Sequence, residues 1–536
     1  MQFLHDITSA TREDGELPDF TEYDFFQMLG VLFAQALYPL PSIRMWWSQT
    51  GEWDLVQPRL GVVGLTLSRQ RFEAILSSLR LGSYTEQDLV ENPWAKALGF
   101  IDAFNQRRRK VVIPGVNLCV DEDTCKWTAT RSEAKYKLGG VPALTKIKAK
   151  PEPVSILIKT IADADTYCKL GLEIQEGKAL MAKKQYASLG AGTGWLLRLS
   201  AHWAGSNRII CADSAFASVK AAVTLRSHGL HLRGIVKSAT IKFPKEYLSK
   251  YPFAALGEHL VCLTFLVWIT THVSHCLPRQ TLKAAVGNVP LMAVAWATRG
   301  FPKAAGKKTV VHTLIATCGS TAPGPPHDKK RTKVRDGVET TTEYSKPRPA
   351  VYAEYHDVAK VIDVHNNHRQ SGVAIERAVM TRSWVFRLFC TVIGEIETDA
   401  YFAYVYEQGT AGYTPMTHSD FTHQLVRSLF NNPFKKDHAA LRKRKRAATD
   451  ENAPTDDHVL AALSNTLYYT TRNADPAKKH KSAQRRCNEC GHKASFYCVL
   501  CSKDGVLPKN VHFLALCGVG ANQACYEQHI RKSKQD

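Results

Sequence analysis

The tightest constraint on this chain lies near its C-terminal end. Cys487 and Cys490 form one C-x-x-C pair, Cys498 and Cys501 form a second, and His512, Cys517, Cys525 and His529 follow. A C-x-x-C turn brings two thiolates into one tetrahedral zinc shell, with Zn–S distances of about 2.3 Å. The eight candidate ligands suit two closed four-coordinate sites. A segment this short cannot bury enough apolar surface to fold by itself, so metal binding is expected to supply its folding free energy. His492 competes with His512 and His529 as a ligand. Six of the fourteen cysteines follow residue 486. The N-terminus, MQFLHDITSA, lacks the basic start and long apolar run of a secretory leader. A reducing compartment is therefore expected, where such a cluster holds metal and does not form disulfides.

The remainder is long enough for several cores: 536 residues, 44% hydrophobic and 22% charged, a globular balance. The formal net charge of +21 favours a polyanionic partner, because Lys and Arg that neutralise phosphates release counterions. The longest apolar run, near Leu260–Ile269, is shorter than the roughly 20 residues of a membrane span. It reads as a buried strand, and no membrane partner is expected.

Along the chain the texture changes. Tyr23–Leu37 and the run SRQRFEAILSSLRL, with Phe72, Ile75, Leu76 and Leu79 on one face, show helical spacing. From about Gly115, short β runs (NLCV, VSILIKTIAD, CKLGLEIQEG, RIICAD, LRGIVKSA) alternate with helical stretches (LLRLSAHWAG, SVKAAVTLRSHG), as in an α/β sheet domain. Residues 247–350 hold apolar β-like runs and the Pro/Gly/Lys stretch APGPPHDKKRTK, which reads as a loop in an inserted β unit. Helix is expected again from Val358 to about Tyr404.

Three aspartates stand where α/β sheets build sites. Asp121 follows NLCV, Asp213 ends RIICAD, and Asp363 opens a late helix in YHDVAKVIDVHNNHRQ. A carboxylate at the carboxyl edge of a strand is well placed for ligands. Three together repel one another until hard divalent cations intervene. Two such ions about 3.5–4 Å apart can activate a water or a 3′-hydroxyl and stabilise the leaving oxygen of a phosphodiester. An Asp after a strand is more often a cap or turn residue, so pattern alone does not select these three.

A resemblance does. The segment FFQMLGVLFAQALYPLPSIRMWW, the Asp121-Glu122 strand context, the run KAKPEPVSILIKTIADADTYCKLGLEIQEGK, the ADSAFAS element with Asp213, Phe216 and Ser218, and the strand Gly234-Ile235-Val236-Lys237 before Pro244 come in order. Tyr355 then stands eight positions before Asp363, and RSWVFRLFCTVIGEIETDAYFAY and the zinc segment follow. In this order the chain resembles the piggyBac transposase family over roughly residues 20–532.

The resemblance implies an N-terminal tail at 1–19 and an RNase H-like catalytic domain at 115–246 and 351–372, interrupted by an insertion domain at 247–350. It implies a helical dimerisation and DNA-binding domain from 20–114 and 373–435, a basic polar linker at 436–485 and a zinc cross-brace at 486–532. In the cross-brace the first pair (Cys487, Cys490) and the third (His512, Cys517) would share one ion. The implied function is phosphodiester hydrolysis and strand transfer at transposon ends, with TTAA targets, by a nuclear homodimer on double-stranded DNA. Asp121, Asp213 and Asp363 would be catalytic and hold two Mg²⁺ or Mn²⁺, with Asn366 a further candidate ligand. Two departures bear on this: Ser214 follows the second Asp where the family has Asn, and Asn366 replaces a frequent second Asp. The alternative is a domesticated, catalytically weak or inactive DNA- or chromatin-binding protein on the same fold. Arg442, Lys443, Arg444, Lys445 and Arg446 read as a nuclear signal or phosphate clamp, and Arg369, Arg377, Arg382 and Arg387 as DNA-backbone contacts. Trp384 reads as a core anchor.

Overall fold

The structure is a computed structural model. It describes residues 2–47, 64–127, 140–147, 154–237, 240, 243–244, 248, 259–263, 290–299, 309–335, 338–371, 373–435, 460–466, 484–498, 501–502, 513–517 and 523–533. The chain divides into two compact units, residues 1–436 and 437–536.

The first unit opens with helices α1 (Gln2–Glu13), α2 (Glu22–Leu37), α3 (Arg69–Ser78), α4 (Glu86–Glu91) and α5 (Ala95–Val111). A capping box fixes the start of α2: Thr21 accepts from the Asp24 amide and Asp24 answers onto the Thr21 amide. Met28, Leu32, Phe72, Phe100 and Phe104 from these helices share one core with Leu388, Phe389, Val426 and Phe430, which come from α12 (Trp384–Thr410) and α13 (His418–Phe430). The early and late helical stretches thus fold as one layer. Gln27, fully buried, ties them by donating to the Phe430 carbonyl at 2.7 Å. Trp384 is a core residue, edge-on to Trp94 with ring centroids 5.1 Å apart.

The sheet holds β1 (Asn117–Lys126), β2 (Thr145–Lys146), β3 (Val154–Asp163), β4 (Lys169–Ile174), β5 (Ile209–Ala212), β6 (His231–Ile235), β7 (His259–Leu263), β8 (Met292–Arg299) and β9 (Thr309–Ala316). Its order is β2-β3-β1-β5-β6-β9-β8-β7, with β4 also on β3. β1, β3 and β4 are antiparallel; β1, β5 and β6 are parallel. Connecting helices are α6 (Lys178–Met181), α7 (Ala191–Ser200) and α8 (Val219–Ser227); then come α9 (Ala350–Ala359), α10 (Val361–Gln370) and α11 (Ile375–Ala378). Strand alternation splits the sheet into two apolar faces. Leu118 and Val120 pack with Leu196 and Leu225 on one; Cys119 packs with Val358, Val361 and Ile362 on the other.

Among the described residues of 247–350, β9 pairs with β6, so β7–β9 extend the main sheet, and β10 (His327–Arg335) and β11 (Val338–Lys346) form a hairpin of their own. Apolar β runs with an open edge beside them complete that edge before they make an independent core. HDKKRTK, expected as loop, is strand: it pairs residue by residue with the Thr-rich β11, whose β-branched side chains favour extended backbone. The late helical stretch begins at Ala350, after Pro349, earlier than Val358. Among the described residues no helix is long and apolar enough to cross a membrane.

The second unit contains β12 (Leu460–Ala462), β13 (Arg485–Arg486), β14 (Lys493–Ala494), β15 (Phe496–Cys498), β16 (Ala515–Leu516) and α14 (Gln523–Ser533). β12, β15 and β16 make a small sheet, and β13 pairs with β14 around Cys487 and Cys490. His512 and the basic run 442–446 lie outside the described residues.

Candidate active site and metal centres

β1 and β5 run side by side with Cys119 beside Cys211 and Val120 beside Ala212. Asp121 and Asp213 are the next residue on each. β5 ends there. β1 continues to Lys126, paired with β3. Asp121 therefore lies within its strand, not at its end, and marks the step where β1 outruns its parallel neighbour. That step is the carboxyl edge at which open α/β sheets bind ligands. Gly234 on β6 keeps the Asp213 turn close, since a Cβ there would meet the Ala212 carbonyl at 2.8 Å and the Ala217 methyl at 2.5 Å.

The third aspartate arrives from α10. Ile362 packs with Cys119 and Cys211 beneath the edge, and Asp363 follows it in the first helical turn. Two buried groups register the convergence. Burial first, then Asp121, Cys211 and Asp363, push the Cys119 thiol well up. Burial first, then Asp213, Cys119, Cys211 and Asp121, push the Tyr355 hydroxyl up. Asp213 is half-buried, and burial raises its carboxyl, opposed by the Ala215 amide donating to Oδ1 at 2.7 Å. Asp363 is exposed. The three do not form a closed group with ligand atoms within 4.8 Å of one another, as the cysteines do, so a cation shared by all three would have to draw them together. Their hard oxygen donors fit Mg²⁺ or Mn²⁺.

Behind the edge lies a buried charge network that the sequence reading missed. Asp123, two residues beyond Asp121 on the same strand face, accepts from Lys169 and, at 2.8 Å, from Arg369. Lys169 Nζ also donates to Asn366 Oδ1 at 2.9 Å and lies 3.5 Å from Glu395. Arg369 pairs with Glu376 at 2.5 Å. Burial alone would raise the Asp123 carboxyl; the Arg369 and Lys169 charges outweigh it and hold Asp123 well below its usual range. Burial pushes Glu395 well up, so it keeps its proton. Asp123 and Glu376 then balance Lys169 and Arg369, the condition under which buried charges persist. The sequence did carry a signal: Lys169 and Glu395 each interrupt an otherwise apolar run.

The network corrects two DNA-contact assignments. Arg369 and Arg387 are each only 2% exposed, so neither reaches a phosphate. Apolar neighbours on α10 and α12 turn these positions inward. Arg377 and Arg382 are exposed. The oxygen of Asn366 that would serve a cation accepts from Lys169.

Alongside, buried His365 on α10 donates through Nε2 to Asp399 Oδ1 at 2.9 Å, and Asp399 also meets Arg108 at 2.7 Å. Burial first, then Lys169, bring His365 down to about 4. Its folded pKa lies below the unfolded one, so the unfolded chain binds more protons between the two. Stability from this group is complete above about pH 6.5 and is lost as pH falls toward about 4, a change on the order of 2–3 kcal/mol. Urea melts between pH 7 and pH 4.5 are expected to fall less steeply for His365→Gln than for the native chain. Parallel pH curves for the two would refute the assignment.

In the second unit, Cys487, Cys490, Cys517 and Cys525 form one group with sulfurs within 4.8 Å of one another, and Cys498, Cys501 and His529 form another. Among the described residues it is Cys525 that joins Cys517 in the first group, where the expected pairing had His512, which lies outside them. Cys525 and His529 are one turn apart on α14, so adjacent turns of one helix serve different groups and the two centres interlock. His492 belongs to neither; its carbonyl instead accepts from the Cys487 amide at 2.7 Å. Gly491, at φ 74°, makes the left-handed turn that closes this knuckle. Burial would raise the Cys487 thiol, but N–H groups of Cys490, Glu489 and Cys517 bring it down to about 7. Burial and neighbouring sulfurs push Cys517 up to about 11 and Cys525 up to about 12. Crowded thiols of this kind ionise together when a soft divalent cation neutralises them, and the donor set fits zinc.

The Transposase IS4 family profile matches residues 1–396. Seven chains of solved structures match significantly. One is a cryo-EM structure of a piggyBac transposase synaptic complex with hairpin DNA, similar with a TM-score of 0.57 at 17% identity over 92% of each chain. At that identity the likeness concerns the fold. No curated protein matches significantly.

Proposed function

Because the chain belongs to the Transposase IS4 family, we propose that it is a piggyBac-type DNA transposase that cuts transposon ends and joins them to TTAA targets. The observation that carries this reading is the approach of Asp121, Asp213 and Asp363 to one sheet edge, from β1, the end of β5 and the first turn of α10. The order β4-β3-β1-β5-β6, an antiparallel meander followed by two parallel strands, supports an RNase H-like catalytic domain.

Asp121 and Asp213 would hold Mg²⁺ or Mn²⁺ with Asp363 closing the site. The ions, when bound, would supply activation of water or a 3′-hydroxyl and stabilisation of the leaving oxygen. The protein fixes the two strand-borne carboxylates by sheet register and the third by helix packing on Cys119 and Cys211. Tyr355, buried below them, excludes water from the floor.

Double-stranded DNA is the proposed partner. The net charge of +21 supplies the long-range attraction, and exposed Arg377 and Arg382 are proposed backbone contacts. A homodimer would bring two ends together. The zinc module is proposed to hold DNA ends, and the run 442–446 to direct the chain to the nucleus.

A plasmid excision assay tests the reading, with the gene's own flanking DNA as donor and a TTAA-bearing target. Excision followed by joining of 3′-hydroxyl ends is expected. DNA binding with neither cutting nor joining would leave the domesticated binder as the better account, and hydrolysis without joining would indicate a simple nuclease.

A further inference from the structure

We propose that Lys169 is a positioning residue that sets the separation of Asp121 and Asp363 through Asn366. This deepens the proposed function and rests on the aspartates being the metal ligands.

Lys169 stands at the start of β4 with no exposed side-chain surface. Its ammonium has three donors, and it bridges three elements: Asp123 on β1, Asn366 on α10 at 2.9 Å and Glu395 on α12 at 3.5 Å. Asp123 shares a strand face with Asp121 two residues before it. Asn366 shares a helix face with Asp363 one turn before it. The bridge Asp123–Lys169–Asn366 therefore runs parallel to the gap between Asp121 and Asp363, one step deeper in the protein. Arg369, a further turn along α10, repeats it by reaching the same Asp123 at 2.8 Å. α10 is thus held to β1 at two successive turns by cations that share one carboxylate. The exposed first turn carrying Asp363 overhangs the bridge. Loss of Arg369 would strand a buried carboxylate. Loss of the Asn366 acceptor would release only the turn nearest the site.

Position 366 accordingly acts as an acceptor for Lys169 and not as a cation ligand. The two roles predict opposite signs. If Asn366 were a ligand, removing Lys169 would free its oxygen and tighten metal binding. If Lys169 is a strut, removing it lets α10 drift and weakens binding.

The test uses the full zinc-loaded chain and Mn²⁺, with binding read by electron paramagnetic resonance of free Mn²⁺ and thermal unfolding run beside it. Asn366→Ala is expected to weaken Asp213-dependent Mn²⁺ binding about tenfold, the scale for outer partners of metal ligands, with little change in melting temperature. Asn366→Asp, which restores an acceptor, is expected to bind at least as tightly as the native chain. Lys169→Met is expected to weaken binding further. Tighter or unchanged binding in Lys169→Met, or unchanged binding in Asn366→Ala, would overturn the proposal. Should Lys169→Met fail to fold, Lys169→Arg, which keeps the buried charge but misplaces its donors from Asn366, takes its place: weaker binding supports the strut, and tighter or unchanged binding overturns it. A native chain that binds Mn²⁺ as described yet never cuts DNA would refute the transposase reading and leave the strut standing.

Discussion

Asp213→Asn is expected to abolish cutting of transposon ends, lowering the rate about 10³-fold or more, or about 4 kcal/mol of transition-state stabilisation, while the fold survives. The change keeps the shape and removes one charge. The fold should tolerate it because Asp213 contributes little as a charged group: it is half-buried and burial raises its carboxyl. A carboxyl whose folded pKa is raised loses stability as pH rises through that value, so the Asn variant should melt at or slightly above the native temperature at pH 7. Asp121→Asn and Asp363→Asn are expected to behave alike in cutting. Asp123→Asn provides the contrast. Its carboxylate is buried between Lys169 and Arg369, and neutralising one partner of such a pair costs about 3–5 kcal/mol, so activity there should fall together with the melting temperature. Single-turnover cleavage of an end-bearing duplex, with calorimetry on the same samples, separates the two classes. Native-like cutting by Asp213→Asn would remove the basis of the enzymatic reading.

Removing zinc is expected to unfold the second unit and leave the first intact. The two groups interlock through α14, which gives Cys525 to one and His529 to the other. Cys498→Ser should therefore disturb both centres although it belongs to one. The free energy at stake is large, with about 10–16 kcal/mol being typical of structural zinc in small modules, and the described residues of the module offer a small apolar cluster around Ala515 and Leu516 in its place. Elemental analysis should find two zinc ions per native chain and fewer than one in the variant. Limited proteolysis should clip the variant within 437–536 and spare residues 1–436, which form a separate compact unit. A metal-free chain whose tail resists protease as the native one does would refute the zinc assignment.

How much of this was legible beforehand varied with the range of the interaction. VSILIKTIAD coincides with β3, and RIICAD ends at Asp213 just beyond β5, because β-branched runs closed by turn residues are a local signal. The C-x-x-C pairs were readable for the same reason. The partition of the later ligands was not: Cys525 and His529 are neighbours on one helix face and still part to different centres, which depends on where β15 and β16 carry the other cysteines. HDKKRTK misled because its charges suit a loop, while its pairing with β11 is a property of two segments together. Arg369 and Arg387 misled similarly, since an arginine in a helix is usually solvated and only packing reveals one turned inward.

By itself, then, the sequence determined the positions of most strands and helices within 115–236, and it marked the cysteines of the tail as candidate metal ligands and the three aspartates as candidate site residues, all of which depend on residue type and short spacing. Tertiary structure alone decided that β7–β9 would join the main sheet, that Asp121 would sit at a step and not at a strand end, and that Asp123, Lys169, Arg369 and Asn366 would meet. Those outcomes follow from unpaired backbone seeking a sheet edge and from buried charges seeking partners, often hundreds of residues away along the chain, and no short window of sequence contains both members of such a pair.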